Sequence, residues 1–300
     1  MSSSFPLRSW LRLVRLPLAP TAAWDATACL ALALTFASRG LGAVDALGWV
    51  LLAATSLLVY GAGMAANDVA DRKRDAALAP TRPLPSGEIR TGSALVVVLL
   101  LAAGAIAIGG GPAGSREAVI AAVLLAAVYD FGTKRSVVAG AFTMGLVRFA
   151  NASVGVIPLI QTGAAPIEVL LGPAAVGAYA AAVTVLSTTE EEDGPARRVV
   201  TRVLATLAFV VAGLLPWLAV GRPTLAVVVA FGAASSIAFA RTPKAGPAKR
   251  QVLEMLLGIY FLSFCLATAG DGGSLVVNFA ALGIAFALIW ASQMLIRALR

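Results

Sequence analysis

The stretch Asn67–Gly87, "NDVADRKRDAALAPTRPLPSG", follows directly on the apolar run "LLVYGAGMAA" at 57–66. It sets three aspartates, a lysine and several arginines beside sequence of the kind that belongs in lipid. Charge next to lipid is expensive and marks either a membrane boundary or a site. The rest of the chain shows which boundary this is. It has 300 residues, of which 59% are hydrophobic and 13% charged. A soluble domain is roughly half apolar and about a quarter charged.

Apolar stretches long enough to cross a bilayer recur throughout: 20–38, 45–66, 93–110, 116–130, 137–160, 167–187, 199–219, 223–240, 251–269 and 275–296. Such segments span as helices, which satisfy their own backbone polar groups in lipid. The fourth is short and the seventh and eighth are tightly joined, so the count is nine or ten. The expectation is an all-α integral membrane protein, a bundle of nine or ten transmembrane helices around a central cavity open to the cytoplasmic side. With the N-terminus inside and ten spans, all 23 Lys and Arg except Arg39, Arg116, Arg222 and Arg148 fall in cytoplasmic segments. That is the positive-inside bias, and it puts both termini in the cytoplasm. The net charge of +8 is then mostly topology, and nucleic acid is not an expected partner. The first span, after Arg8, Arg12 and Arg15, is too long for a signal peptide and reads as an anchored helix.

There is no histidine, and Cys29 and Cys265 both lie within spans. This excludes a disulfide framework, a thiolate or imidazole zinc site and any triad with a histidine base. Chemistry is left to carboxylates, Lys, Arg, Tyr, Asn and a hard metal. Asn67, Asp71 and Asp75 stand at i, i+4 and i+8, drifting about 40° per step on a helix and sharing a face. Asp68 sits beside them. Oxygen side chains in that pattern suit Mg2+, which takes one or two carboxylates and leaves other positions to water and phosphate. The same pattern is open to a plainer reading, a solvated loop whose charges stop the helix sliding.

This stretch resembles the first aspartate-rich motif of the UbiA superfamily of membrane prenyltransferases, N-D-x-x-D-x-x-x-D followed by R-P-L-x-x-G. The matching positions are Asn67, Asp68, Asp71 and Asp75, then Arg82, Pro83, Leu84 and Gly87. The resemblance implies a Mg2+ site at these acids and a bound isoprenyl diphosphate. "VYDFGTKRS" looks like the family's Y-x-x-x-K-R segment shifted by one residue, through Tyr129, Lys134 and Arg135. It implies that Lys134, Arg135 and Arg82 hold the diphosphate; an interfacial tyrosine with two topogenic cations is the plainer alternative. Arg148 lies inside the fifth span, with Asn151 one turn on. It either pairs structurally with Asp25 of the first span or lines a cavity for a small lipophilic acceptor, together with Tyr129 and Asp130.

Where the family carries a second motif, D-x-x-x-D, the sixth span ends "YAAAVTVLSTTEEEDGPARR". Val183 and Ser187 follow Tyr179 by four and eight residues, and acids come only later, at Glu190, Glu191, Glu192 and Asp193. These are either a displaced second acidic motif or a solvated loop. In this acid-poor end, in "AAWDATA" and in "MGLVRFANASVG", the chain is similar to the UbiA-like proteins of bacterial ebo gene clusters, which are associated with secondary-metabolite handling. The resemblance implies one domain over 1–300 with two loosely similar halves, about 1–135 and 136–300, in the inner (cytoplasmic) membrane of a bacterium. Two functions follow: a Mg2+-dependent prenyltransferase, or a non-catalytic binder of a prenyl or lipid diphosphate that serves export or assembly.

Overall fold

The computed structural model describes residues 7–111 and 114–188, with scattered positions between 259 and 299. The expected spans 199–219 and 223–240 and most of 251–269 and 275–296 lie outside the described residues, as do Glu190–Asp193. The described part is all helix, with no strand.

A short helix α1 (Leu7–Leu13) leads to α2 (Pro20–Phe36), which opens on Pro20 at a position where a missing N–H costs nothing. Asp45 caps α3 (Ala46–Leu78) by accepting from the Gly48 N–H at 2.7 Å. Helix α3 runs 33 residues, about 50 Å, well beyond a hydrocarbon core of about 30 Å. The apolar run and the polar stretch Asn67–Leu78 are therefore one uninterrupted helix. The backbone shows no break at 66, the expected end of the span. Then come α4 (Thr91–Ile108), α5 (Arg116–Phe131, capped by Ser115) and α6 (Val137–Ser153, capped by Ser136). After α6 follow the short α7 (Ile157–Gln161) and α8 (Leu171–Thr188), the latter entered through a 3-10 turn at Ile167–Leu170.

The expected span 137–160 is broken at Ser153. Pro158 has no N–H to donate to the Val154 carbonyl four residues back, and its ring would clash there. That carbonyl instead accepts from the Ser115 N–H at 2.9 Å, which ties the break to the start of α5.

Leu16–Phe36, Ala46–Leu78, Thr91–Ile108 and Ile167–Ser187 are long and apolar enough to cross a membrane. They are not equally enclosed. The best window of Thr91–Ile108 is only 11% buried, against 67% for Leu16–Phe36, so α4 turns Leu95, Val96, Leu99 and Leu100 outward and α2 lies inside. In a bilayer that outward face meets lipid. Helices α6 and α8 approach closely where two glycines meet. A Cβ on Gly145 would lie 2.9 Å from the Gly177 carbonyl oxygen, and one on Gly177 would lie 2.7 Å from that of Gly145. Small residues at such a crossing are the usual basis of close helix contact in membranes. The crossing sets the α6 and α8 walls of the cavity side by side.

Candidate functional site

The polar end of α3 divides its acids between two partners. Lys134, in the turn after α5, lies 2.7 Å from Asp71 Oδ1 and donates to Asn67 Oδ1 at 3.1 Å. Arg82, from the loop after α3, pairs with Asp75 and lies 3.9 Å from Asp68. Arg15 reaches Asp68 from the α1–α2 turn at 3.1 Å. Helix geometry explains the division. Seven residues fall about 20° short of two full turns, so Asp68 and Asp75 align almost exactly along one line. Asn67 and Asp71, one turn apart, form a neighbouring row. Asp68 and Asp75 are buried; Asn67 and Asp71 are half-buried. Of the motif expected to share one point, the structure brings Asn67 and Asp71 to a single cation and turns Asp68 and Asp75 to the arginines. Arg135 is exposed at the same turn.

Arg15 holds its place at φ 48°, ψ 46°, a left-handed conformation uncommon outside glycine. Burial opposes its charge. The pull of Asp68 and its other anionic neighbours outweighs that penalty and raises its pKa above the ordinary arginine value.

A cavity of about 280 Å³ opens beside this charged end. Arg15, Tyr129, Asp130 and Ser187 line it there, and Tyr60, Arg148, Asn151 and Tyr179 line it further in. The rest of its wall is largely aliphatic, with Val59, Met64, Ala126, Met144, Val147 and Val183 among the lining residues. Arg148 meets both sequence alternatives at once. It pairs with Asp25 at 3.0 Å, donates to Thr21 Oγ1 at 3.1 Å, and still lines the cavity, 5.7 Å from the centre of the Tyr60 ring. Asp25 is 0% exposed and stands behind it. Asn151 donates through Nδ2 to the Ala22 carbonyl at 3.1 Å, which fixes the α2–α6 contact at that depth.

Among the described residues no group of three or more Asp, Glu, Cys or His is arranged to hold a metal. The donor chemistry nonetheless fits a hard cation at one point. Two oxygen ligands, Asn67 Oδ1 and Asp71 Oδ1, converge on one positive nitrogen, that of Lys134. One or two protein oxygens with the remaining positions left to other oxygens is the manner of Mg2+.

Sequence reasoning missed Arg15, Tyr60 and Tyr179 as cavity residues. Arg15 reads as one more topogenic cation. Tyr60 did carry a signal, since it stands seven residues before Asn67 and shares its helix face.

Fold and site together define a polytopic helical membrane protein whose apolar cavity ends in clustered carboxylates and cations. The chain belongs to the UbiA prenyltransferase family, whose sequence profile matches residues 26–298. No curated protein sequence matches it at a significant level. Among solved structures it is similar to a digeranylgeranylglyceryl phosphate synthase, with TM-score 0.63 and 16% identity over 88% of this chain and 98% of that one. It is also similar to a UbiA homologue from Archaeoglobus fulgidus bound to DMAPP and Mg2+, with TM-score 0.52 and 16% identity over 85% and 99% of the two chains. A further structure of a UbiA homologue from Archaeoglobus fulgidus gives TM-score 0.52 at 15% identity, over 96% and 99%.

Proposed function

We propose that the protein is a Mg2+-dependent membrane prenyltransferase, moving an isoprenyl group from its diphosphate to an aromatic or other small lipophilic acceptor. The observation that carries this reading is the convergence of Asn67 Oδ1 and Asp71 Oδ1 on one cationic centre beside an apolar cavity. The similar fold of a homologue bound to DMAPP and Mg2+ supports it.

In this reading Asn67 and Asp71 hold Mg2+, with Asp68 and Asp75 adding negative charge around it. When bound, the metal supplies Lewis-acid stabilisation of the diphosphate leaving group. Lys134, Arg82 and Arg135 neutralise the same oxygens as the allylic C–O bond ionises. The cavity excludes water from the cation. Tyr129, Asp130, Arg148 and Asn151, with Asp25 behind Arg148, present the acceptor. The chain forms one domain over 1–300 with two related halves, and sits in a bacterial inner membrane with both termini in the cytoplasm.

One observation favours a second reading. Val183 and Ser187 line the cavity at the end of α8, where the family pattern carries its second acidic motif. An acid-poor wall there suits a binder of prenyl diphosphates or metabolites of the ebo-cluster kind, with Glu190–Asp193 as the remaining source of acids. Titration of geranyl diphosphate with and without Mg2+ tests the common ground. Asp71→Asn should weaken the Mg2+-dependent binding by about tenfold or more. Equal affinity in parent and variant would leave Asn67 and Asp71 without a metal-binding part. Product formation from bound geranyl diphosphate then separates enzyme from binder.

A further inference from the structure

The charges around the cavity pair off. Arg15 takes Asp68, Lys134 takes Asp71, Arg82 takes Asp75 and Arg148 takes Asp25. Asp130 is left over. Among the described residues it is the one carboxylate that lines the cavity. It is 4% exposed. Its charged neighbours are Lys134, Asp71, Arg15 and Asp68, and none of them comes within ion-pair distance. The fully covered orphan side-chain atoms among the described residues are Ser56 Oγ, Thr133 Oγ1 and Asn151 Oδ1. The Asp130 carboxylate is not one of them, and the residue lines the cavity.

A buried carboxylate without a partner is strongly unfavourable and calls for a donor. Lys134 stands one turn on and would serve, yet its ammonium is committed to Asn67 and Asp71. We propose that the donor comes from the second substrate, and that Asp130 is its recognition point. The proposal rests on the reading of this cavity as the acceptor site and gives that acceptor a chemical class. Its polar end is a hydrogen-bond donor or a cation, as in a phenol, an alcohol or an amine, and not a carboxylate. An acid would place a second carboxyl group against that of Asp130. It would find no free cation among the described wall residues, because Arg15 and Arg148 are already spent on Asp68 and Asp25. Drawing Arg148 away would take the guanidinium from Asp25, which is 0% exposed.

The test uses the full chain in detergent, without Mg2+ or diphosphate. Geranylamine, geraniol and geranic acid share one apolar tail and differ only at the head. Calorimetric titration should give geranylamine at least about tenfold tighter binding than geranic acid, with geraniol between them, since charge-assisted hydrogen bonds are the strong ones. Asp130→Asn should erase the advantage of the amine, and Asp130→Glu should keep it. Equal affinity for amine and acid in the parent overturns the proposal, and so does a preference that persists in Asp130→Asn. Should Asp130→Asn not yield folded protein, the parent ratio together with its retention in Asp130→Glu decides. Mg2+-dependent binding of geranyl diphosphate, measured on the same samples, reports separately on the prenyl-diphosphate reading. Either can therefore fail alone.

Discussion

Removing one member of the Arg148–Asp25 pair should unfold the protein more readily than removing both. Arg148→Met keeps a long apolar stem but leaves the Asp25 carboxylate, 0% exposed, without its guanidinium 3.0 Å away. Breaking a buried pair by removing one partner costs about 3–5 kcal/mol. Asp25→Asn takes the carboxylate from Arg148, which keeps Thr21 Oγ1 at 3.1 Å and the face of Tyr60 at 5.7 Å. The double variant Asp25→Asn/Arg148→Met removes both charges and leaves the volume nearly unchanged. It should recover at least about 2 kcal/mol relative to the sum of the singles. The assay is equilibrium unfolding in mixed micelles, followed by tryptophan fluorescence. Additive singles, or an Arg148→Met loss below about 1 kcal/mol, would refute the pairing. Arg148 would then be free to serve the cavity as an unpaired cation.

A β-carbon at Gly145 would lie 2.9 Å from the Gly177 carbonyl oxygen, so Gly145→Val should force α6 from α8 and cost about 1–3 kcal/mol in the same unfolding assay. Asp75→Asn should release Arg82 and loosen the loop 79–90, read as faster hydrogen exchange there, while weakening Mg2+-dependent diphosphate binding less than Asp71→Asn does. An equal loss of binding would restore Asp75 to the metal group. Changing Glu190, Glu191, Glu192 and Asp193 together to Ala should abolish prenyl transfer and leave Mg2+-dependent binding in place. A parent-like rate would leave those acids without a catalytic part.

Helix positions were legible because length and apolarity decide them. The stretches 20–38, 93–110 and 167–187 reappear as Pro20–Phe36, Thr91–Ile108 and a helical run from Ile167. The break after Ser153 was also written in the chain, at Pro158, but the apolar run continues through it and masks the backbone signal. The pairing within Asn67–Asp75 was not legible. Which acid faces which cation depends on Arg15, Arg82 and Lys134, and the turns that carry them are positioned only by packing. Spacing along one helix says which side chains are neighbours, and not who stands opposite. For the same reason Asp130 looked like its neighbours in sequence, since being unpaired is a property of the assembled wall.

Because α3 runs unbroken from Ala46 to Leu78, it acts as a ruler. Tyr60 marks the depth of Arg148, and Asp71 marks that of Lys134. Eleven residues separate the two marks, about 16 Å along the axis. No loop movement can lengthen or shorten that interval, because helical pitch fixes it. A molecule that touches both stations must bring its own matching length. In the proposed reading, selection by size would fall to the backbone of one helix, and side-chain substitutions in the wall would trim width without altering reach.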